Sequence, residues 1–303
     1  MTSVRDLLEP AVTRLRAAGS PSPRLDAELL LGHVLGVDRS AVLAHPEAVV
    51  GTGQVAALEA ALGRRERGEP VAYIRGVKEF YGLALTADRR ALIPRPETEL
   101  LVDLAQTWVR TRLSAAPRAA DAPPLVVWDI GTGSGAIAVA LAVTLRRRGY
   151  GAAVRFVATD TSADALALAV ENAVGHGVAD QVEFHRADLV DLPGGAPAGA
   201  VELVLANLPY VPSAELPGLP VAASFEPVPA LDGGPDGLRV IARLVERLGD
   251  VVALDGAALL EIGDGQAEGL RGLVASQAGW TVTFHDDLSG TPRVAQVARG
   301  GPS

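Results

Sequence analysis

The chain has no cysteine, which excludes disulfides, thiolate metal sites and cysteine nucleophiles. Its five histidines, His33, His45, His176, His185 and His285, are scattered without ligand spacing, and no metal is expected. No apolar run approaches the ~18 residues of a membrane span. The start, Met1-Thr2-Ser3-Val4-Arg5-Asp6, passes straight into an amphipathic pattern rather than a signal peptide. Basic residues are outnumbered, 27 Lys and Arg against 36 Asp and Glu, and no Lys/Arg-rich stripe offsets the net charge of −9. Such a balance suits poorly a protein that grips a long phosphate backbone, so no direct nucleic-acid partner is expected. The one basic triplet, Arg146-Arg147-Arg148, reads as the solvated end of a helix. A cytoplasmic protein without membrane contact is the expectation. What the chain does have is apolar residues, 49% of 303, enough for one large or two smaller cores without staples.

Residues 1–75 read as a helical module. Leu7, Leu8, Val12 and Leu15 recur at helical spacing after a capping Ser3. A Gly19–Pro23 break precedes a second apolar face from Ala27 to Leu35, closed by Gly36. A third stretch runs from Thr52 to Arg67. Residues 76–96 are expected to be a β-hairpin linker, with Phe80–Leu85 pairing Asp88–Ile93. From residue 97 to 303 a catalytic domain is expected. It opens with a helix over Glu97–Leu113 and a Pro/Ala-rich loop over Ala115–Pro124.

Strands and helices then alternate. Strands are predicted over Leu125–Ile130, Val154–Asp160, Val182–Ala187, Val201–Ala206, Ala257–Ile262, Thr281–His285 and Val294–Ala298. Helices are predicted over Ala136–Arg147, Ser162–Gly175, Gly237–Leu248 and Gln266–Gln277. This order implies an α/β fold: a doubly wound, seven-stranded, mostly parallel sheet whose last two strands pair antiparallel.

In such sheets ligands bind beyond the carboxyl ends of the strands. Gly131-Thr132-Gly133-Ser134-Gly135 follows the first sheet strand and opens a helix, so the backbone can turn sharply and offer N–H groups to a ligand. Asp160 ends the second strand and is placed to chelate ribose hydroxyls. Asp188 and Leu189 follow the third, where the carboxylate can take a hydrogen from an adenine amino group beside the apolar side chain. Each aspartate alone is more often a helix cap or turn residue. Together these features suit a nicotinamide dinucleotide or S-adenosyl-L-methionine and do not choose between them.

Asn207-Leu208-Pro209-Tyr210, at the fourth strand end, does choose. The Asn207 side-chain carbonyl and the Leu208 backbone carbonyl can each accept one hydrogen of an amino group, and the Tyr210 ring can pack against its plane. Held so, a nitrogen with a delocalised lone pair can be methylated, whereas nicotinamide chemistry has no use for this clamp. An Asx-Pro turn closing a strand is the bland alternative.

Longer strings narrow the reading. They are Glu69–Ile74, Glu79–Leu83, Leu92-Ile93-Pro94-Arg95-Pro96-Glu97-Thr98-Glu99, Glu226-Pro227, Gly233-Gly234, Asp236-Gly237-Leu238, Glu261-Ile262-Gly263 with Gln266, and Asp287–Gly290 with Arg293-Val294. With these the chain resembles the peptide chain release factor N(5)-glutamine methyltransferases, within the class I S-adenosylmethionine-dependent methyltransferases. The resemblance implies a helical N-terminal domain for substrate recognition and S-adenosyl-L-methionine held by Gly131–Gly135, Asp160, Asp188, Leu189 and Asn207. It also implies that Asn207, Leu208, Pro209 and Tyr210 are the catalytic and substrate-binding residues. The partner implied is a class I release factor, methylated on the glutamine of its Gly-Gly-Gln loop.

Two departures stand out. Leu208 replaces the family's usual first proline and keeps the backbone carbonyl, and Leu189 replaces a frequent aromatic residue. Asn-Leu-Pro-Tyr also suits a nucleic-acid amino methyltransferase of the adenine-N6 type, the main alternative. A cofactor-binding interaction protein without catalysis is a further one. Arg95, Glu97 and Glu99 fit either cap and first-turn charges of the following helix or the substrate entrance, and Trp128 fits the core; Glu261 is read as structural.

Overall fold

In a computed structural model, which describes residues 2–115, 123–192, 195 and 201–300, the chain divides into two units. The first comprises Met1–Lys78, Ala87–Arg89 and Leu219–Phe225; the second comprises Glu79–Thr86, Arg90–Gly218 and Glu226–Ser303. The loop expected over Ala115–Pro124 falls mostly outside the described residues. Among the described residues no helix is long and apolar enough to cross a membrane.

The first unit is built from α1 (Val4–Ala17), α2 (Pro23–Leu35), α3 (Arg39–Ala44), α4 (Thr52–Glu66) and α5 (Val71–Arg75). Ser3 caps α1 reciprocally: its hydroxyl accepts from the Asp6 N–H at 3.3 Å, and its own N–H donates to the Asp6 carboxylate at 2.9 Å. Leu15, Leu30, Leu31, Leu58 and Leu62 meet in the core. The short helices α3 and α5 carry too few residues for a helical period to show in the sequence. Carboxylates that the packing buries are paired, as burial of charge requires: Asp26 with Arg65 at 2.7 Å, Glu28 with Arg39 at 2.6 Å and Glu69 with Arg64 at 2.8 Å.

The chain leaves the first unit within β1 (Val77–Phe80), which pairs with β2 (Leu83–Thr86). The hairpin is therefore one strand earlier than the sequence pattern predicts, and Asp88–Ile93 forms no strand. Tyr81 and Gly82 both take positive φ, 50° and 70°, which makes a two-residue turn matched to the strand twist. Nothing in the residue type announces a left-handed tyrosine, so the turn was expected later. Phe80 is core, and the Tyr81 hydroxyl is held by Asp103 and Gln106.

The second unit continues with a 3-10 turn over Pro96–Thr98 and α6 (Glu99–Ala115), then β3 (Leu125–Ile130), α7 (Ala136–Arg147), β4 (Val154–Asp160), α8 (Ala163–Gly175), β5 (Val182–Arg186) and β6 (Val201–Ala206). After β6 come β7 (Val211–Pro212), β8 (Asp232–Gly234), α9 (Arg239–Val251), β9 (Val252–Glu261), α10 (Ala267–Ala275), β10 (Trp280–Asp286) and β11 (Pro292–Arg299). Seven strands form one sheet in the order β10-β11-β9-β6-β3-β4-β5. All neighbours are parallel except β11, which runs antiparallel to both β9 and β10.

Alternate residues of the central strands face opposite cores. Val127, Leu203, Leu205 and Leu259 pack under α6 and α7, while Trp128, Val204, Ala206 and Leu260 pack under α9 and α10. Both faces are covered, so these strands read as mostly apolar runs. The parallel register sets Ile130 beside Ala206 and Ala206 beside Leu260. The residues that follow, Gly131, Asn207 and Glu261, thus emerge side by side at the carboxyl edge. The strand order reverses at β3, between β4 and β6, which is where an open α/β sheet leaves its crevice.

Candidate functional site

The turn after β3 is shaped from below. Gly131, Gly133 and Gly135 all have positive φ, which L-residues resist. The Gly131 and Thr132 N–H groups donate to the Thr159 carbonyl, both at 2.8 Å, and fasten the turn to β4. Beneath it Asp129 is fully buried and accepts from the Thr132 hydroxyl at 2.7 Å and the Ala138 N–H at 3.2 Å, capping α7. Burial pushes its carboxyl up to about 6, against the pull of those two hydrogen bonds. At Gly131 an added Cβ would lie 2.9 Å from Leu208 Cδ2, so the glycine turn and the Asn-Leu-Pro-Tyr segment touch.

A cavity of about 460 Å3 opens above this turn, within the roughly 300–1,000 Å3 range of small-molecule sites. Its wall includes Gly131–Ser134, Asp160, Asp188, Leu189 and Asn207–Pro209, the very strand ends the sequence singles out. Gly135 and Tyr210 do not line it. Gly135 lies against α8, where a Cβ would sit 3.0 Å from the Ala169 Cβ. Tyr210 is turned toward Gly237 and Gly263, and its carbonyl accepts from Gln266 Nε2 at 2.9 Å. Burial, with the charge of Glu261 second, raises the Tyr210 hydroxyl above its ordinary range.

Each carboxylate at the cavity has a definite hydrogen-bonding state. Asp160 accepts from the Gly133 N–H and the Ser162 N–H, both at 2.9 Å, which fixes its plane at the mouth of the turn. Asp188 is half exposed and pairs with Arg243 at 2.8 Å. Leu189, with φ 52°, is buried on the wall beside it. Leu208 is also buried, so its side chain packs as well as presenting a backbone carbonyl.

Two further groups on the cavity wall are Arg95, which the sequence leaves between a cap and the substrate entrance, and Thr98, which it does not single out. The Pro94-Arg95-Pro96-Glu97 string is held by Glu226, whose carboxylate accepts from the Ile93 N–H at 3.1 Å and from Arg95 at 2.6 Å. That contact ties the Glu226-Pro227 string to Arg95, which caps the Pro96–Thr98 turn through its backbone and also lines the cavity. Glu99 accepts from the Tyr81 N–H at 2.8 Å and Glu97 stays exposed. The second group is Thr98, buried, whose hydroxyl accepts from Asn207 Nδ2 at 3.0 Å. Glu261 lies beyond it, only 2% exposed. Burial pushes its carboxyl up to about 7; the charge of Glu97 adds to the rise, and hydrogen bonds to Thr98 and Asn207 and the charge of Arg293 oppose it. A threonine inside a Pro-Glu-Thr-Glu string signals only a cap, so its partner had no sequence signal.

A glycine cradle that a Cβ would fill, carboxylates fixed at its rim and a partly apolar wall fit a nucleoside-bearing cofactor. With the strand order of the sheet they define a class I methyltransferase domain, which uses S-adenosyl-L-methionine. Two family models match, a PrmC N-terminal domain over residues 6–76 and a methyltransferase domain over residues 127–220. Among solved structures, the hMettl16 catalytic domain in complex with a MAT2A 3′UTR hairpin superposes with a TM-score of 0.53 at 14% identity, covering 86% of this chain and 87% of that one. At that identity the likeness is one of fold. Curated relatives go further. The release factor glutamine methyltransferase of Deinococcus radiodurans is 36% identical over 98% of this chain and 99% of its own. That of Rhodopirellula baltica is 37% identical over 98% of this chain and 96% of its own. The chain belongs to the release factor glutamine methyltransferase family.

Proposed function

We propose that the chain methylates the side-chain amide nitrogen of the glutamine in the Gly-Gly-Gln loop of class I peptide chain release factors, in the cytoplasm. The cofactor supplies an electrophilic methyl group on a sulfonium, and the chain's own residues do the holding. In this reading Gly131–Ser134 and Asp160 hold the methionine and ribose parts, with Asp188 and Leu189 at the adenine. The helical unit contributes recognition of the rest of the release factor.

The orientation of Asn207 carries the reading. Its amide nitrogen is spent on Thr98, which leaves Oδ1 as the acceptor for a ligand at the cavity wall. Asn207 Oδ1 and the Leu208 carbonyl each take one N–H of the glutamine amide, which turns the nitrogen lone pair toward the methyl carbon. Alignment of this kind gains roughly 7–11 kcal/mol. The two carbonyl acceptors also stabilise the positive charge that develops on the nitrogen. No strong general base is needed, because the nitrogen becomes acidic as it is alkylated.

Incubation with labelled S-adenosyl-L-methionine and purified release factor, ribosomes or DNA tests the assignment. Label in the release factor supports it. Label in nucleic acid alone overturns it in favour of an amino methyltransferase acting on bases.

A further inference from the structure

Asn207 is a two-faced group. A half-turn of its planar amide exchanges a carbonyl acceptor for an NH2 donor with almost no change in shape. Only one face suits an amino group, whose hydrogens need an acceptor. What chooses the face is the pair of side chains its amide meets, Thr98 on the cavity wall and Glu261, which does not line the cavity.

We infer that Thr98 and Glu261 are positioning residues that fix the polarity of the Asn207 amide, so that the site accepts N–H donors and rejects carbonyl acceptors. This rests on the proposed glutamine-methylating activity and adds to it the source of the site's selectivity. A hydroxyl carries one proton and two lone pairs. For Thr98 to accept from Asn207 Nδ2, at 3.0 Å, its own proton must point elsewhere. The sheet register sets Glu261 beside Asn207, its carboxylate interacts with both Thr98 and Asn207, and an ionised carboxylate can only accept. Protons therefore run in one direction: from the Asn207 nitrogen to the Thr98 oxygen, and from the Thr98 hydroxyl and the Asn207 nitrogen to Glu261. Reversed, the Thr98 proton would face Asn207 Oδ1, and the cavity would meet an NH2 group.

Glu261 is suited to this one-way role. It is 2% exposed, and its Oε2 has no hydrogen-bond partner among the described residues, which leaves Thr98 and Asn207 as the side-chain donors that face the carboxylate. The register of the sheet delivers it, since Leu260 pairs with Ala206 and the next residues are Glu261 and Asn207. The ionisable groups around it are Glu97 before α6, Arg293 on β11 and Tyr210 after β6. Arg293 is itself held by Asp287 at 3.1 Å. Protonation of Glu261 turns it into a donor as well as an acceptor and removes the bias, so the polarity weakens as pH falls through about 7.

The test uses the full chain, purified release factor and labelled S-adenosyl-L-methionine, with kcat, KM and the pH profile measured between about pH 5.5 and 9. Thr98→Val removes the hydroxyl at constant shape and should lower kcat roughly 10–100-fold. Cofactor Kd by calorimetry should stay within about twofold, which also shows that the variant folds. Thr98→Ser restores the hydroxyl and should return kcat to within about threefold of wild type. In Glu261→Gln the amide does not titrate, so the acid limb of the profile should flatten. Wild-type kcat in Thr98→Val, a serine variant no better than valine, or an unchanged acid limb in Glu261→Gln overturns the inference alone. A wild-type chain that labels no release factor overturns the functional reading and the inference together.

Discussion

Gly131→Ala adds one methyl group at a point where the backbone is left-handed, φ 73°, and where the new Cβ lies 2.9 Å from Leu208 Cδ2. The left-handed conformation costs an L-residue about 1–2 kcal/mol. Displacing Leu208, which is buried on the cavity wall, costs roughly a further 1–3 kcal/mol. The sum, about 2–5 kcal/mol, is a large share of the stability of an ordinary domain. Leu208→Ala removes the obstructing side chain but not the dihedral cost. In that background Gly131→Ala should therefore cost only about 1–2 kcal/mol, and the double-mutant cycle should show a coupling of about 1–3 kcal/mol. Urea unfolding of the four proteins, with equal denaturant slopes, measures it, and calorimetry with S-adenosyl-L-methionine should show at least about a tenfold loss of affinity in Gly131→Ala. Additive costs within about 0.5 kcal/mol would refute the claim that the glycine turn and the Asn-Leu-Pro-Tyr segment are packed as one piece.

Other outcomes follow from the same geometry. Asn207→Ala should lower kcat by about a hundredfold or more while cofactor Kd changes little, because in the proposed reading its acceptor serves the reacting nitrogen. Asp160→Ala should do the opposite, weakening cofactor binding in calorimetry and also loosening the turn that donates to it from Gly133. Burial raises Asp129 to about 6 from the ordinary carboxylate value near 3.9, so the folded state holds that proton more tightly than the unfolded chain. Its contribution to stability is full below about pH 4 and is lost as pH rises through about 6, a fall of roughly 3 kcal/mol. Asp129→Asn should flatten that part of the stability profile in denaturant titrations, and an unchanged slope would contradict the assignment.

Local chemistry made much of this architecture legible. The limits of β3, β4 and β6 fall where the apolar runs end, because strands covered on both faces must stay apolar until the chain reaches the edge. There Gly131, Asp160 and Asn207 mark the stop and stand on the cavity at once. Elements set by tertiary context were harder to read. The hairpin depended on a tyrosine with φ 50°, and β9 begins at Val252 rather than Ala257 because pairing with β6 carries it through exposed Leu254 and Asp255. α9 extends to Val251 for a similar reason, its last residue being core. The contact that orients Asn207 spans 109 residues to Thr98, and no window on the chain contains both. Glu261 was taken as structural because a carboxylate at a strand end suggests no partner until the sheet order is known. Leu208 reversed an expectation in part. Its carbonyl remains the group the proposed clamp needs, but its side chain also seats the glycine turn.

The most direct measurement is the position of the methyl group. After incubation of the full chain with S-adenosyl-L-methionine and a class I release factor, peptide mapping by mass spectrometry should find one methyl on the side-chain amide nitrogen of the Gly-Gly-Gln glutamine. It should be absent when Asn207→Ala is used in place of the wild-type chain. A methyl group on another residue, or an Asn207→Ala protein that modifies the glutamine at the wild-type rate, would contradict the account.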